Sequence, residues 1–346
     1  MLIKKINNGI ISQEFTIKKT LEALQKSTLS KNKICIIKDI TGKVVDVLTD
    51  GDIRRILLKT NDLNQKILLF LKKKFYYSYK KNSEKYYEKI TSKKQIDVLP
   101  ILNKKKRLIG IYCSSKEKKL DNEIFIFAGG RGKRMFPLTE SIPKPMMNIG
   151  KLPLIESTIN FFKNYGFYNF TISVNYLSKK IENYFSEKDV NIKIKFLHEK
   201  KKLGTAGPLS IFKNNNKKPI ICINGDIYTN LNFRSLLDFH EKSGNDCTIC
   251  TRNYNFQIPY GVINKLKNKV IDEKPQISKE VIAGIYVFNQ KSLNYLKKNK
   301  TIDMNDFINF LYKKKKKLGY FHIYELLFDI GDLSTYENVN SYLSNQ

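Results

Sequence analysis

From residue 124 onward, short apolar runs alternate with stretches whose apolar residues recur at helical spacing. Residues 124–127, 170–175, 192–197, 219–224 and 282–288 read as strands, and 154–164 and 233–242 as helices. This rhythm predicts an open α/β sheet covered on both faces, with ligands at the carboxyl ends of its strands. The first part of the chain has another rhythm. Residues 16–26 place Ile17, Leu21 and Leu24 on one helical face. Residues 34–37 read as a strand, 39–43 as a turn and 44–48 as a second strand. Thr49-Asp-Gly-Asp52 then opens a helix, with Thr or Asp as its N-cap. Residues 98–102, 103–107 and 108–112 repeat strand, turn and strand about 60 residues later, the mark of a pseudo-symmetric pair. The polar stretch 116–123 predicts a linker, dividing a smaller α+β module (1–119) from an α/β domain (120–346).

Composition narrows the function classes. A chain of 346 residues, 41% hydrophobic and 27% charged, holds enough core to fold without disulfides or structural metal. No apolar run nears the roughly 18 residues of a membrane span, and the first residues, Met1-Leu-Ile-Lys-Lys5, lack a signal-peptide pattern. A cytoplasmic protein with no membrane partner is the expectation. Five cysteines are scattered; Cys247 and Cys250 have C-x-x-C spacing, but nothing completes a zinc set, and they read as buried strand positions. The net charge of +31 raises nucleic-acid binding as an alternative. Only seven of the 63 basic residues are Arg, Lys is spread throughout, and aromatic–Arg RNA motifs are missing, so no nucleic-acid partner is expected. The run Lys313-Lys-Lys-Lys-Lys317 reads as a solvated helix end. The excess charge still favours approach of anionic substrates.

The chemistry begins where strand 124–127 meets Ala128-Gly-Gly-Arg-Gly-Lys-Arg134. Glycines after a strand let backbone N–H groups reach phosphate oxygens. A Walker A loop would need Gly at Phe127 and Ser or Thr at Arg134; a Rossmann loop would open a helix where Met135-Phe-Pro137 stands. Three prolines follow in Pro137-Leu-Thr-Glu-Ser-Ile-Pro-Lys-Pro145, predicting a rigid, extended path that holds Arg134 and Lys144 near the loop. Two fixed cations beside a phosphate cradle suit phosphoryl or nucleotidyl transfer.

Gly-Gly-x-Gly-x-Arg, then Pro-x-Thr, then Pro-Lys-Pro-Met146 resembles the sugar-nucleotide pyrophosphorylases, which join a nucleoside triphosphate to a sugar 1-phosphate and release pyrophosphate. The likeness runs from 124 to about 340. It implies a Rossmann-like, mixed-sheet α/β nucleotidyltransferase domain of GT-A-like type. It further implies nucleotide contacts at Ala128, Gly129, Gly130, Gly132, Lys133, Glu199, Gly204 and Thr205, the last three within Glu199-Lys-Lys-Lys-Leu-Gly-Thr-Ala-Gly207. Arg134, Lys144 and Asp226 become catalytic, Asp226 and Asp329 ligands of Mg²⁺, and Gly261, Glu273 and Lys274 contacts of the sugar phosphate. A carboxylate only accepts hydrogen bonds, so Glu199 suits the paired N–H donors of guanine, which favours GTP. The family usually has Thr or Ser where Lys133 stands, and Ile282 replaces a common Asn.

Leu48-Thr-Asp-Gly-Asp-Ile-Arg-Arg55 resembles a tandem CBS module, in which the Thr-Asp pair meets the ribose of an adenine nucleotide. Asp46 stands where such motifs carry Gly, and Cys113-Ser114 replaces Thr-Asp in the second copy. A structural or dimerising module is the alternative. CBS pairs in front of this enzyme domain are similar to a subgroup that includes guanylyltransferases of legionaminic-type acid pathways, and a homo-oligomer is expected by the same analogy. A nucleotide-sensing protein with a degenerate catalytic domain is the competing reading, as is a thymidylyl-, uridylyl- or adenylyltransferase.

Overall fold

The computed structural model describes residues 2–3, 9–29, 33–60, 62–72, 74–79, 82–94, 96–114, 119–188, 191–213, 216–263 and 271–344. Lys4, Lys5 and residues 116–118 of the polar stretch lie outside these. Contacts group the chain into two units. One is Met1–Leu120 with Asn164–Gly166 and Asn232–Ser243; the other is Asp121–Lys163, Phe167–Leu231 and Gly244–Gln346.

In the first unit, β1 (Leu2–Ile3), β2 (Ile10–Ser12), α1 (Ile17–Lys26), β3 (Ile34–Lys38), β4 (Val44–Thr49) and α2 (Asp50–Thr60) precede β5 (Ser78–Tyr79), α3 (Glu84–Lys94), β6 (Val98–Leu102) and β7 (Leu108–Cys113). The strands form two small sheets, β2-β3-β4 and β1-β7-β6-β5. Thr16 caps α1 by accepting the Lys19 N–H, and Thr49 and Asp52 form a reciprocal capping box at the start of α2. The two hairpin turns share one device. Asp39 accepts the N–H groups of Thr41 and Lys43, and Asn103 those of Lys105 and Arg107. Each hairpin also carries a register shift at the same place, Ile37/Lys38 and Ile101/Leu102. Ile36 and Val44 from one sheet share an apolar cluster with Val98, Leu102 and Ile111 from the other. The repeated pattern therefore reflects a repeated local fold.

The second unit continues through β8 (Leu120–Phe127), α4 (Leu138–Ser141), β9 (Asn148–Ile149), β10 (Leu152–Pro153), α5 (Leu154–Lys163), β11 (Phe167–Val174), α6 (Ser178–Ser186), β12 (Lys193–His198), β13 (Ile220–Asn224) and β14 (Ile227–Thr229). After α7 (Phe233–Ser243), which groups with the first unit, come β15 (Cys247–Gln257), β16 (Val262–Ile263), β17 (Ile271–Asp272), β18 (Gln276–Phe288), α8 (Gln290–Leu293), α9 (Met304–Lys313), β19 (Leu318–His322), β20 (Leu327–Asp329) and α10 (Leu333–Ser344). Among the described residues the main sheet has the order β12-β11-β8-β13-β18-β15-β19. It is mixed: β13 runs parallel to β8, and β18 antiparallel to β13 and β15. The chain turns one way from β8 to β11 and later returns on its other side as β13. This leaves a crevice at the carboxyl ends of β8 and β13. One sheet face packs Phe125, Cys222, Cys247 and Phe288 against Met304, Phe307 and Leu311 of α9. Each fully buried phenyl ring contributes roughly 1.5–3 kcal/mol. Cys247 and Cys250 are buried in β15, as expected from the sequence, and burial pushes the Cys247 thiol up.

Two expectations are corrected. Residues 120–123 of the polar stretch are strand, not linker, because their polar groups are satisfied inside the fold. The buried Asn122 donates to the Pro219 carbonyl (2.9 Å), and the buried Glu123 accepts from the Thr171 hydroxyl (2.7 Å). The proline-rich stretch is not an extended path either. It is a chain of short helical turns, 133–135, α4 and 144–146, with Pro137 just before α4 and Pro145 in the first turn of the last. Proline's fixed φ and missing N–H cost nothing at such positions.

Candidate functional site

β8 delivers Ala128 to the crevice, and the glycine loop follows. Gly132 adopts φ +63°, a conformation that favours glycine, and opens the turn that carries Lys133 and Arg134. The Thr139 hydroxyl donates to the Gly132 carbonyl at 2.9 Å, and the buried Met135 anchors the loop beside Met147, Leu154 and Ile330. The next turn buries Lys144, whose Nζ donates to Asp226 Oδ2 at 2.7 Å.

Asp226 is presented by the end of β13. The Gly225 N–H donates to the Phe127 carbonyl (2.8 Å), tying the two strand ends together. A Cβ on Gly225 would lie 2.6 Å from that carbonyl oxygen, so only glycine fits. β14 then pairs with β20, setting Ile227 opposite Asp329, and the Ile330 N–H donates to the Asp226 carbonyl (2.9 Å). The two aspartates are thus neighbours. Although Asp329 keeps an exposed edge, partial burial of its carboxyl and the adjacent Asp226 charge raise it above the usual carboxylate range. The Arg134 guanidinium lies over Gly331, 3.4 Å from where a Cβ would stand.

The other wall is the segment after β12. Glu199 Oε1 accepts from the Ser173 hydroxyl (2.7 Å), and burial raises its carboxyl. The same oxygen lies 2.7 Å from where a Gly129 Cβ would point, so the loop backbone and this carboxylate touch closely. Gly204 takes φ +79°, and a Cβ there would strike the Ile302 carbonyl oxygen at 2.5 Å, so the position needs glycine on both counts.

These parts line an open cavity of about 620 Å³, within the usual size of a small-ligand site. Its lining brings together Ala128, Gly129, Gly130, Gly132, Lys133, Arg134, Lys144, Glu199, Gly204, Thr205 and Asp226. Asp329 stands beside Asp226 but outside the lining. Gly261, Glu273 and Lys274 form a separate group on the β16–β17 ribbon, where Gly261 faces Glu273 Oε2 and the Lys274 carbonyl accepts from Gln257. Lys202, Asn224, Thr301 and Asp303 also line the cavity. Sequence reasoning missed them: Thr301 and Asp303 lie about a hundred residues from the segment they touch, and no motif spacing links the two.

The nucleotidyl transferase family model matches residues 124–346, well over half of the chain. The chain belongs to this family. Its relatives include the mannose-1-phosphate guanylyltransferase catalytic subunit beta of Danio rerio, 31% identical over 181 residues (49% of this chain, 50% of the relative). The Dictyostelium discoideum protein of the same name is 34% identical over 186 residues (51% and 52%). The chain spans about half the length of the curated relatives it matches. Among solved structures, HddC from Yersinia pseudotuberculosis complexed with GMP-PN aligns with 64% of this chain and 99% of its own, at TM-score 0.51 and 22% identity. UDP-glucose pyrophosphorylase complexed with UDP-glucose aligns with 66% and 100%, at TM-score 0.51 and 18% identity. At such identities the structural likeness speaks for the fold, a mixed α/β nucleotidyltransferase-like sheet. No helix among the described residues is long and apolar enough to cross a membrane.

Proposed function

We propose that this family member is a sugar-1-phosphate nucleotidyltransferase that uses GTP to make a GDP-sugar and pyrophosphate. The observation that carries the reading is one cavity lined by a glycine loop, Arg134, Lys144, Asp226 and the Gly204–Thr205 segment. The named relatives, mannose-1-phosphate guanylyltransferases, support guanine and a hexose 1-phosphate.

The attacking group, a sugar phosphate oxygen, is already ionised, so the chain need not supply a nucleophile. Its work is positioning and charge neutralisation. Backbone N–H groups of Gly129 to Gly132 cradle the triphosphate, and Arg134 steadies the charge that builds on it. Lys144 and Lys274 orient the sugar phosphate, with Gly261 and Glu273 holding its hydroxyls. Lys133, in a place where the family favours a small hydroxyl residue, adds a phosphate contact at the loop.

Among the described residues Asp226 Oδ1 is buried with no hydrogen-bond partner, and Asp329 stands next to it. An orphaned carboxylate oxygen beside a second carboxylate fits a divalent cation. Mg²⁺ commonly takes one or two carboxylates and fills its shell with water and substrate phosphates. Asp226 and Asp329 would hold it, and when bound it supplies charge neutralisation at the reacting phosphates. Lys144, paired to Asp226 Oδ2, fixes the orientation of that carboxylate.

In the same reading residues 1–119 are a tandem CBS module in front of a catalytic domain at 120–346, similar to the legionaminic-type subgroup. An adenine nucleotide at the module, a homo-oligomeric state and a cytoplasmic location belong to it as well. Pyrophosphate release across four NTPs and a panel of hexose and hexosamine 1-phosphates with Mg²⁺ tests the activity. Fastest turnover with GTP supports the reading. Faster turnover with another base overturns the guanine assignment, and no turnover with any pair overturns the enzyme assignment in favour of a nucleotide sensor.

A further inference from the structure

The cavity's base-side wall is held by a latch that no motif reveals. Asp303 is the N-cap residue of α9, yet its side chain makes no capping bond to its own helix. Asp303 Oδ1 instead accepts the Thr205 backbone N–H at 3.0 Å and lies 3.4 Å from the Thr205 hydroxyl. That hydroxyl takes over the capping task, accepting the Met304 N–H at 2.7 Å. The two side chains have exchanged roles: the helix is capped by a residue of the cavity wall, and the wall is held by the residue that would ordinarily cap the helix.

The backbone closes the same contact. The Ile302 carbonyl accepts from both Ala206 (3.0 Å) and Gly207 (3.2 Å), and the Ile302 N–H donates to the Leu203 carbonyl (2.9 Å). Gly204, in a left-handed conformation, abuts this strap so closely that a Cβ would stand 2.5 Å from the Ile302 carbonyl oxygen. Both Asp303 and Thr205 line the cavity. A free turn of small residues would sample many conformations, and a ligand would have to order them on binding. A preformed turn avoids that cost.

We propose that Asp303 is a positioning residue for the nucleotide: its carboxylate, through Thr205, fixes the Gly204–Thr205 backbone in the shape that receives the base. This rests on the assignment of that segment to the base side of a nucleotide site. Losing a hydrogen bond to a charged acceptor changes an equilibrium constant by about ten- to hundredfold. A positioning role loads this on nucleotide binding and leaves the chemical step alone.

The test compares the full chain with Asp303→Ala and Asp303→Asn, using equilibrium binding of a fluorescent GTP analogue, kinetics and thermal melting. Asp303→Ala is expected to weaken analogue binding and raise the KM for the nucleotide at least tenfold. Its kcat should stay within threefold and its KM for the sugar phosphate within twofold. Asp303→Asn keeps an oxygen able to accept the Thr205 N–H and should restore most of the affinity. Unchanged nucleotide affinity in Asp303→Ala overturns the inference. So does a uniform loss of kcat and both affinities that follows a fall in melting temperature, which marks a merely structural role. If the unaltered protein binds the analogue but turns over no sugar phosphate, the proposed reaction falls while the binding comparison still decides the role of Asp303. If it binds no nucleotide at all, both fall.

Discussion

Gly225→Ala tests how strictly the strand ends place Asp226. The added Cβ would stand 2.6 Å from the Phe127 carbonyl oxygen, 3.3 Å from Pro145 Cγ and 3.4 Å from Ala128 Cα. The nearest of these is backbone and cannot swing aside. Relief needs the two strand ends to part by roughly half an ångström, which strains the Gly225–Phe127 hydrogen bond and carries Asp226 with it. Overpacking of this kind costs about 1–3 kcal/mol, so the melting temperature should fall by several degrees. Misplacement by 1 Å can cost about 100-fold in rate, so half that displacement predicts a loss of about tenfold in kcat. Pyrophosphate release at saturating substrates, with melting measured on the same preparation, reads both. Turnover within twofold of the unaltered protein, with unchanged melting, would refute the claim that close packing of β8 and β13 sets the position of Asp226.

Gly130→Ala is the counterpart, because a Cβ there meets nothing within 4 Å and projects from a residue lining the cavity. Melting should be unchanged while the KM for the nucleotide rises severalfold; equal loss of stability would argue that the loop is packed rather than open. Asp226→Asn keeps an oxygen for Lys144 but halves the acidic pair, and turnover should drop at least ~100-fold with little change in melting; near-normal turnover would remove Asp226 from the chemistry. In the first unit, burial raises the Asp52 carboxyl, but Lys72 and Thr49 more than offset this and hold it down at about 2. Such a depressed group stabilises the fold above its ordinary value near 4, and the effect is lost as pH falls through about 2. Urea unfolding should therefore find Asp52→Asn less stable by about 2 kcal/mol at pH 7 and pH 5, with the gap narrowing below pH 4. A gap that widens in acid would contradict the pairing.

Much of the site was legible before folding because its parts are local. A glycine loop after a buried strand, a carboxylate closing Ile220-Ile-Cys-Ile-Asn-Gly-Asp226 and a small-residue turn at Leu203-Gly-Thr-Ala-Gly207 are each set by a few neighbouring residues. Boundaries were less legible. The strand at 120–123 looked like linker because its side chains are polar, and only their buried partners at Pro219 and Thr171 reveal a strand. β18 begins at Gln276 rather than near 282, since its first half is exposed and pairs with residues 251–257 of β15 instead of filling a core.

The sequence by itself determined the alternation of elements, the repeated hairpins and the chemical types gathered at strand ends, because these follow from side-chain periodicity and backbone freedom over short spans. Tertiary structure decided which groups meet. Asp226 joins Asp329 through the β14–β20 pairing, Lys144 reaches Asp226, and Thr205 trades its hydroxyl for the carboxylate of Asp303. Each of these contacts joins residues about 80 to 100 apart in the chain, where spacing carries no signal. Sheet order and the close approach of backbones select the partners.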